Sequence, residues 1–180
     1  MKKRMKGLTL VEMMVATSLG VLLIASVMGL LLLGRDVWQD TETKMITLQQ
    51  VRGALTEIGM DLPRTSRRPA AQGGPPLDLR IATDGSWIRF YIPQSITDGT
   101  ITWGDEIRYR FIGANHQILR ENLTTGETRA VANFIDTATF GILDAVQYPN
   151  VVAMTIRSGK TSLSRRVFET ELQTNYTVRN

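Results

Sequence analysis

The sequence predicts an α+β protein, one long helix followed by an antiparallel β-sheet. Three observations predict it. Residues 13–33, MMVATSLGVLLIASVMGLLLL, run for 21 residues without a charge. Leu48, Val51, Leu55, Ile58 and Leu62 follow at intervals of 3, 4, 3 and 4, which places them on one helical face. From residue 79 onward, short runs of aromatic and β-branched residues alternate with turn signals.

Composition limits the function classes. A chain of 180 residues with 43% hydrophobic and 21% charged residues can build one cored domain, and general disorder is excluded. The absence of cysteine excludes disulfides, thiolate metal sites and a cysteine nucleophile, and a single histidine excludes a histidine pair. The formal net charge of +4 is concentrated at one end, because Lys2, Lys3, Arg4 and Lys6 carry four positives with no acid among them. Without them, 17 basic residues face 17 acidic ones, so the charge argument for a polyanion partner loses its force.

As a helix, residues 13–33 rise about 30 Å, the thickness of a bilayer core. A helix buried inside a domain of this size would be shorter and polar on one side. A cleaved secretory signal would have an apolar stretch of about 7–15 residues and a small-x-small cleavage site. This run is longer and passes directly into more helix-compatible sequence, so it reads as a membrane anchor. Basic residues before it, with only Arg35 and Asp36 just after it, place the N-terminus in the cytoplasm and the C-terminal domain outside. Glu12 sits at the mouth of the run, where a carboxylate needs a partner.

After Gly34 the sequence becomes amphipathic without becoming a loop. Gln49, Gln50, Arg52, Glu57 and Asp61 fall off the apolar stripe, and Pro63 forces a stop. The expectation is one helix from about Leu8 to Leu62, roughly 80 Å long. Gly20, Gly29 and Gly34 each weaken it by about 1 kcal/mol relative to Ala, and also let neighbouring helices approach closely. Trp38, just past the run, marks the membrane interface. Residues 63–78, PRTSRRPAAQGGPPLD, contain four of the six prolines and read as an exposed loop. Arg64, Arg67 and Arg68 form a small basic cluster there, either simply solvated or in contact with a partner subunit or anionic polymer.

The β-half is expected as strands at residues 87–92, ending at Pro93, and at 107–111, where Arg108 and Arg110 alternate with apolar residues. A turn at residues 113–116 leads to a returning strand at 117–121. A turn at residues 125–127 precedes strands at 129–135 and 139–143. A last hairpin joins residues 151–157 to 164–172 through a turn at Ser158-Gly159-Lys160, with a polar tail. The apolar face of this sheet and the helix stripe would cover each other.

No catalytic constellation is visible. His116 falls in a hairpin turn, and Asp84-Gly85 and Asp98-Gly99 are turn formers. No carboxylate run has calcium-loop spacing, and Gly73-Gly74 lacks the lysine and helix of a phosphate loop. The reading is therefore no enzyme, no metal and no cofactor.

The string Lys6-Gly7-Leu8-Thr9-Leu10-Val11-Glu12, between a short basic leader and the uncharged run, resembles the type IV prepilin N-terminal signal. The resemblance implies that a prepilin peptidase cuts between Gly7 and Leu8 on the cytoplasmic face and methylates the Leu8 amine. Leu8 stands where most members carry phenylalanine. Glu12 stands at the family's glutamate. Gly7, without a side chain, lets an extended backbone enter a protease cleft. In a bundle of staggered helices Glu12 could reach the terminal amine of a neighbour, pairing two otherwise isolated charges and setting the register. More loosely, the β-half is similar to PilW-like minor pilins and J-type pseudopilins.

The resemblance implies a pilin fold with a leader at 1–7, a transmembrane helix and filament core at 8–34, and a periplasmic domain at 35–180. It implies a minor subunit of a type IV pilus or type II secretion pseudopilus, possessing a priming or tip role. The implied partners are other pilins or pseudopilins, prepilin peptidase, the inner-membrane assembly platform and membrane lipid. One alternative is a competence-type pilin that captures DNA through Arg64, Arg67, Arg68 or through Arg108 and Arg110. The neutral charge after cleavage argues against a nucleic-acid partner. Another alternative is a plain membrane-anchored domain.

Overall fold

The computed structural model describes residues 9–65, 79–97, 100–163 and 165–178. A single helix, α1, spans Leu10–Asp61, and a 3-10 turn over Leu62–Arg64 finishes it with Pro63 in its first positions. Proline supplies no N–H to continue an α-helix, which explains the stop at the expected place. The expected start at Leu8, and residues 66–78 of the expected loop, lie outside the described residues.

Among the described residues eight strands follow: β1 Leu79–Ile81, β2 Trp87–Thr97, β3 Thr100–Ile112, β4 Gln117–Asn122, β5 Thr128–Asn133, β6 Ile135–Asp144, β7 Tyr148–Thr161 and β8 Val167–Thr177. Every pairing is antiparallel. The strands form two sheets rather than the expected one, a five-stranded meander β1-β2-β3-β4-β5 and a three-stranded β6-β7-β8. The break falls at Phe134, whose φ of 59° turns the chain from β5 into β6. The expected strand at 129–135 is thus two strands in different sheets.

Other expected boundaries also move. Strand β2 does not end at Pro93 but passes through it, with the register shifting on both sides. Proline has no N–H to give the ladder, so the strand accommodates it as a bulge. Strand β7 runs straight through Ser158-Gly159-Lys160, where a turn is expected. A Cβ at Gly159 would collide with the Asp136 carboxylate, so the glycine there answers to close packing rather than to turning. The chain turns instead between Ser162 and Arg166, where the Arg165 N–H donates to the Ser162 carbonyl and Arg165 takes a φ of 63°. The expected polar tail is ordered strand to Thr177, and Val178 beyond it is buried.

The lower half of α1 lies across both sheets, and one core joins them. Val51, Ala54, Ile58 and Leu62 pack with Ile88, Phe90, Ile107, Tyr109 and Ile118 of the first sheet and with Phe140, Val152, Met154 and Ile156 of the second. The helix stripe and the sheets do cover each other, but the buried line is rotated from the expected one. It runs Thr43, Thr47, Val51, Ala54, Ile58, Asp61, leaving Leu48 and Leu55 half-buried at its edge. The rotation is possible because the polar residues on the buried line find partners in the helix itself and on the first sheet. Thr43 and Thr47 donate to helix carbonyls, and Asp61 meets Tyr109 and Arg120.

Candidate functional site

The feature that sets this chain apart from an ordinary cored domain is the upper half of α1. Its first turn is fixed locally. Thr9 is extended, with φ −74° and ψ 153°, and its hydroxyl accepts from the Glu12 N–H. Glu12 Oε2 accepts in return from the Thr9 N–H at 2.8 Å and from the Thr9 hydroxyl at 3.0 Å. This capping box satisfies donors that the helix itself leaves unpaired. The Glu12 carboxylate is thereby held at the very end of the apolar run and remains exposed.

From there to Val37 the large side chains of the helix face no other part of the protein. The stretch is long and apolar enough to cross a membrane, and none of its most apolar window is buried. Its hydroxyls are neutralised within the helix. Thr17 donates to the Met13 and Met14 carbonyls, Ser18 to Val15 and Ser26 to Leu22. A hydroxyl satisfied in this way adds no unpaired donor to an apolar surrounding. Gly20, Gly29 and Gly34 stand in open space. Trp38 closes the segment with 74% of its surface exposed. These observations establish one N-terminal helix with the length and composition of a membrane span.

The remaining expected site residues are dispersed. Gly7, Leu8, Arg67 and Arg68 lie outside the described residues. Arg64 is exposed at the end of the 3-10 turn, more than forty residues along the helix from Glu12. Arg108 and Arg110 do face outward, but both pair with Glu121, which they bury between them. Neighbouring Arg89 pairs with Glu106 at 3.0 Å. The arginine-faced strand is therefore an ion-pair row, three arginines held by two carboxylates, rather than a free cationic surface.

Sequence reasoning missed a polar cluster where α1 meets the first sheet. The Tyr109 hydroxyl donates to Asp61 Oδ2 at 2.7 Å, and Arg120 Nε donates to the same oxygen at 2.9 Å. Glu57 accepts from Arg129 and lies 3.9 Å from Arg120. Burial first, and the Asp61 carboxylate second, push the Tyr109 phenol well above its ordinary range. The four-residue spacing of Glu57 and Asp61, close to one helical turn, and the alternation of Tyr109 within its strand were signals that these groups share an inner face. The cluster has the character of a clamp between the helix and the sheet.

A shallow cleft lies at the junction of the sheets, lined by His116, Phe134, Asp136 and Lys160. His116 is in the expected turn, with φ 52°, and its Nδ1 lies 3.2 Å from the Ile135 carbonyl and 3.7 Å from Asp136. Lys160 Nζ stands 4.5 Å from the centre of the Phe134 ring. Among the described residues no group of three or more His, Asp or Glu side chains is arranged to hold a metal ion.

Compared with family models, with curated proteins and with solved structures, the chain matches none.

Proposed function

We propose that this protein is a filament subunit of the pilin type, a minor pilin or pseudopilin that waits in the inner membrane with its β-domain in the periplasm. In this reading prepilin peptidase removes residues 1–7 and methylates Leu8. The subunit then enters a helical filament with other pilins or pseudopilins, in a type IV pilus or a type II secretion pseudopilus. A priming or tip position suits a minor subunit.

The observation that carries the proposal is the junction at Glu12. A glycine-leucine pair and a carboxylate precede an uncharged helical segment, residues 13–33, whose large side chains are all exposed. A membrane anchor alone needs apolar length but no carboxylate at its mouth. A helix destined to pack against copies of itself gains a register from a single charge that must find its counterpart. Continuity supports the same reading, since α1 passes from the exposed segment into the domain core without a break, so that the domain would be rigidly joined to a filament core.

The test is intact mass and N-terminal sequencing after co-expression with and without a prepilin peptidase. Loss of residues 1–7 and gain of one methyl group on Leu8, only with the peptidase, is the expected result. An uncut chain would leave a plain membrane-anchored domain.

A further inference from the structure

We propose that the turn joining β7 and β8 is a second membrane contact, which lays Leu163 and Arg165 into the headgroup layer of anionic phospholipid beside the helix. The inference rests on reading residues 13–33 as a membrane span.

The placement follows from three contacts along one strand. Strand β8 runs alongside α1 in the same direction, so its first residues lie nearest the exposed half of the helix. The Tyr176 hydroxyl donates to the Leu55 carbonyl, Thr170 meets Thr47, and Arg166 pairs with Asp40 at 3.2 Å. From Thr170 to Arg166 the strand advances about 13 Å, and from Thr47 to Asp40 the helix advances about 10 Å, so the two run down together. The turn lies beyond Arg166 and comes level with Val37 and Trp38. Trp38 is five residues past Leu33, the end of the apolar run, or about 7 Å along the helix. A headgroup layer is about 5–8 Å deep on each side of the hydrocarbon. The turn therefore ends at the height where Trp38 marks the interface.

The composition of the turn suits that height. Leu163 is 81% exposed and Val167 is also exposed, an unusual pair for a tight turn facing water. The turn is closed by its own backbone, Ser162 N–H to the Arg166 carbonyl and Arg165 N–H to the Ser162 carbonyl. Leu163 stands exposed between these two bonds. Beside it, Arg166 is compensated by Asp40, whereas Arg165 has no ion-pair partner among the described residues. Asp36, one helical turn nearer the membrane than Asp40, and Arg35 are the other charges at this level. An apolar tip with a spare arginine fits an anionic lipid surface. At the opposite end of β7, the turn after β6 carries the exposed Val146 but is a strand's length further from the span.

The chain has no cysteine, so single labels can be placed at will. The full chain, carrying one environment-sensitive probe at Leu163→Cys, Val146→Cys or Ile24→Cys, is reconstituted in vesicles of phosphatidylglycerol and phosphatidylethanolamine. Lipids bearing shallow or deep quenchers report depth. The proposal expects shallow quenching at position 163, deep quenching at 24 and none at 146. Adding Arg165→Asn, a residue that tolerates the left-handed backbone, should weaken the contact about five-fold. Phosphatidylcholine vesicles should weaken the wild-type contact similarly. Quenching at 24 without quenching at 163 overturns the proposal and leaves the span standing. Absence of quenching at both overturns the span and the proposal together. Shielding of position 163 that depends on protein density and not on lipid would assign the turn to a neighbouring copy instead, and an unchanged signal in Arg165→Asn would overturn the anionic-lipid assignment.

Discussion

The hydroxyl of Tyr109 and the carboxylate of Asp61, 48 residues apart in sequence, meet at 2.7 Å and fasten the end of the long helix to the middle of the first sheet. The bond is buried, and Arg120 supports it from the neighbouring strand at 2.9 Å from the same oxygen. Because Tyr109 is fully buried and stacks on Phe90 at 6.1 Å, the ring cannot turn away to find water. Tyr109→Phe should cost about 2 kcal/mol, the loss of a hydrogen bond to a charged acceptor. Asp61→Ala should cost more, about 3 kcal/mol, because it also takes from Arg120 its nearer counter-charge and leaves only Glu57 at 3.9 Å. Urea unfolding of the detergent-solubilised chain measures both, and equal costs would contradict the shared-oxygen geometry.

The same phenol makes the fold sensitive to alkali. Burial, then the adjacent Asp61, favours the neutral hydroxyl in the folded state and raises its pKa above the ordinary 10.0. A group raised on folding gives its full stabilisation below its unfolded pKa and loses it as pH climbs toward the folded value. Stability should therefore be flat with respect to this group below pH 10.0 and fall above it. In Tyr109→Phe that part of the alkaline loss should vanish. Unfolding midpoints across pH 9 to 11.5 in the two proteins would reveal it, and parallel curves would reject the assignment.

Glu12 has two separable tasks, closing its own helix and offering a charge. Glutamine retains the capping-box geometry but not the charge. Glu12→Ala should spare cleavage, fray the first turn and impair incorporation into filaments. Glu12→Gln should spare cleavage and keep the first turn, yet still impair incorporation. Amide exchange at residues 10–13 reads the turn, and subunit abundance in sheared filaments reads incorporation. Wild-type incorporation of the glutamine variant would mean that capping alone suffices and that the charge has no partner in a neighbour.

What the sequence made legible follows from local rules. The helix and its stop at Pro63, the β3–β4 hairpin with His116 in its turn, and the turn at residues 125–127 all depend on near-neighbour chemistry. The partition into two sheets was not legible, because it depends on one non-glycine residue, Phe134, held at positive φ by its surroundings. The Ser158 hydroxyl donates to the Phe134 carbonyl at 2.6 Å, and the Gly159 N–H donates to the same oxygen. Gly159 looked like a turn residue for the same reason. Its need for space comes from Asp136 on another strand, and no local pattern records that. The rotation of the helix stripe toward Asp61 likewise reflects partners on β3 and β4 that sequence spacing on the helix alone cannot show. At the candidate site the helix cap is legible in the capping-box spacing of Thr9 and Glu12, whereas the same carboxylate beside an apolar run also fits membrane chemistry, and spacing alone does not separate the two tasks.

Two glycines in the lower half of α1 should respond in opposite ways to the same substitution. Gly53 faces open space, and nothing lies within 4 Å of where a Cβ would stand. Alanine there should stabilise the helix by about 1 kcal/mol through its better propensity. Gly59 enjoys the same propensity gain on paper, but a Cβ there would sit 2.6 Å from the Tyr176 ring. That ring is not free to retreat, because its hydroxyl donates to the Leu55 carbonyl at 2.7 Å. Gly59→Ala must therefore break this bond or displace β8 from the helix, and overpacking of this kind costs about 1–3 kcal/mol, enough to reverse the gain. Restoring space with Gly59→Ala in a Tyr176→Leu background should recover part of the loss. Thermal unfolding of the two single variants and the double variant gives the comparison. A stabilised Gly59→Ala protein would show that β8 does not press on the helix as closely as the Tyr176 contact requires.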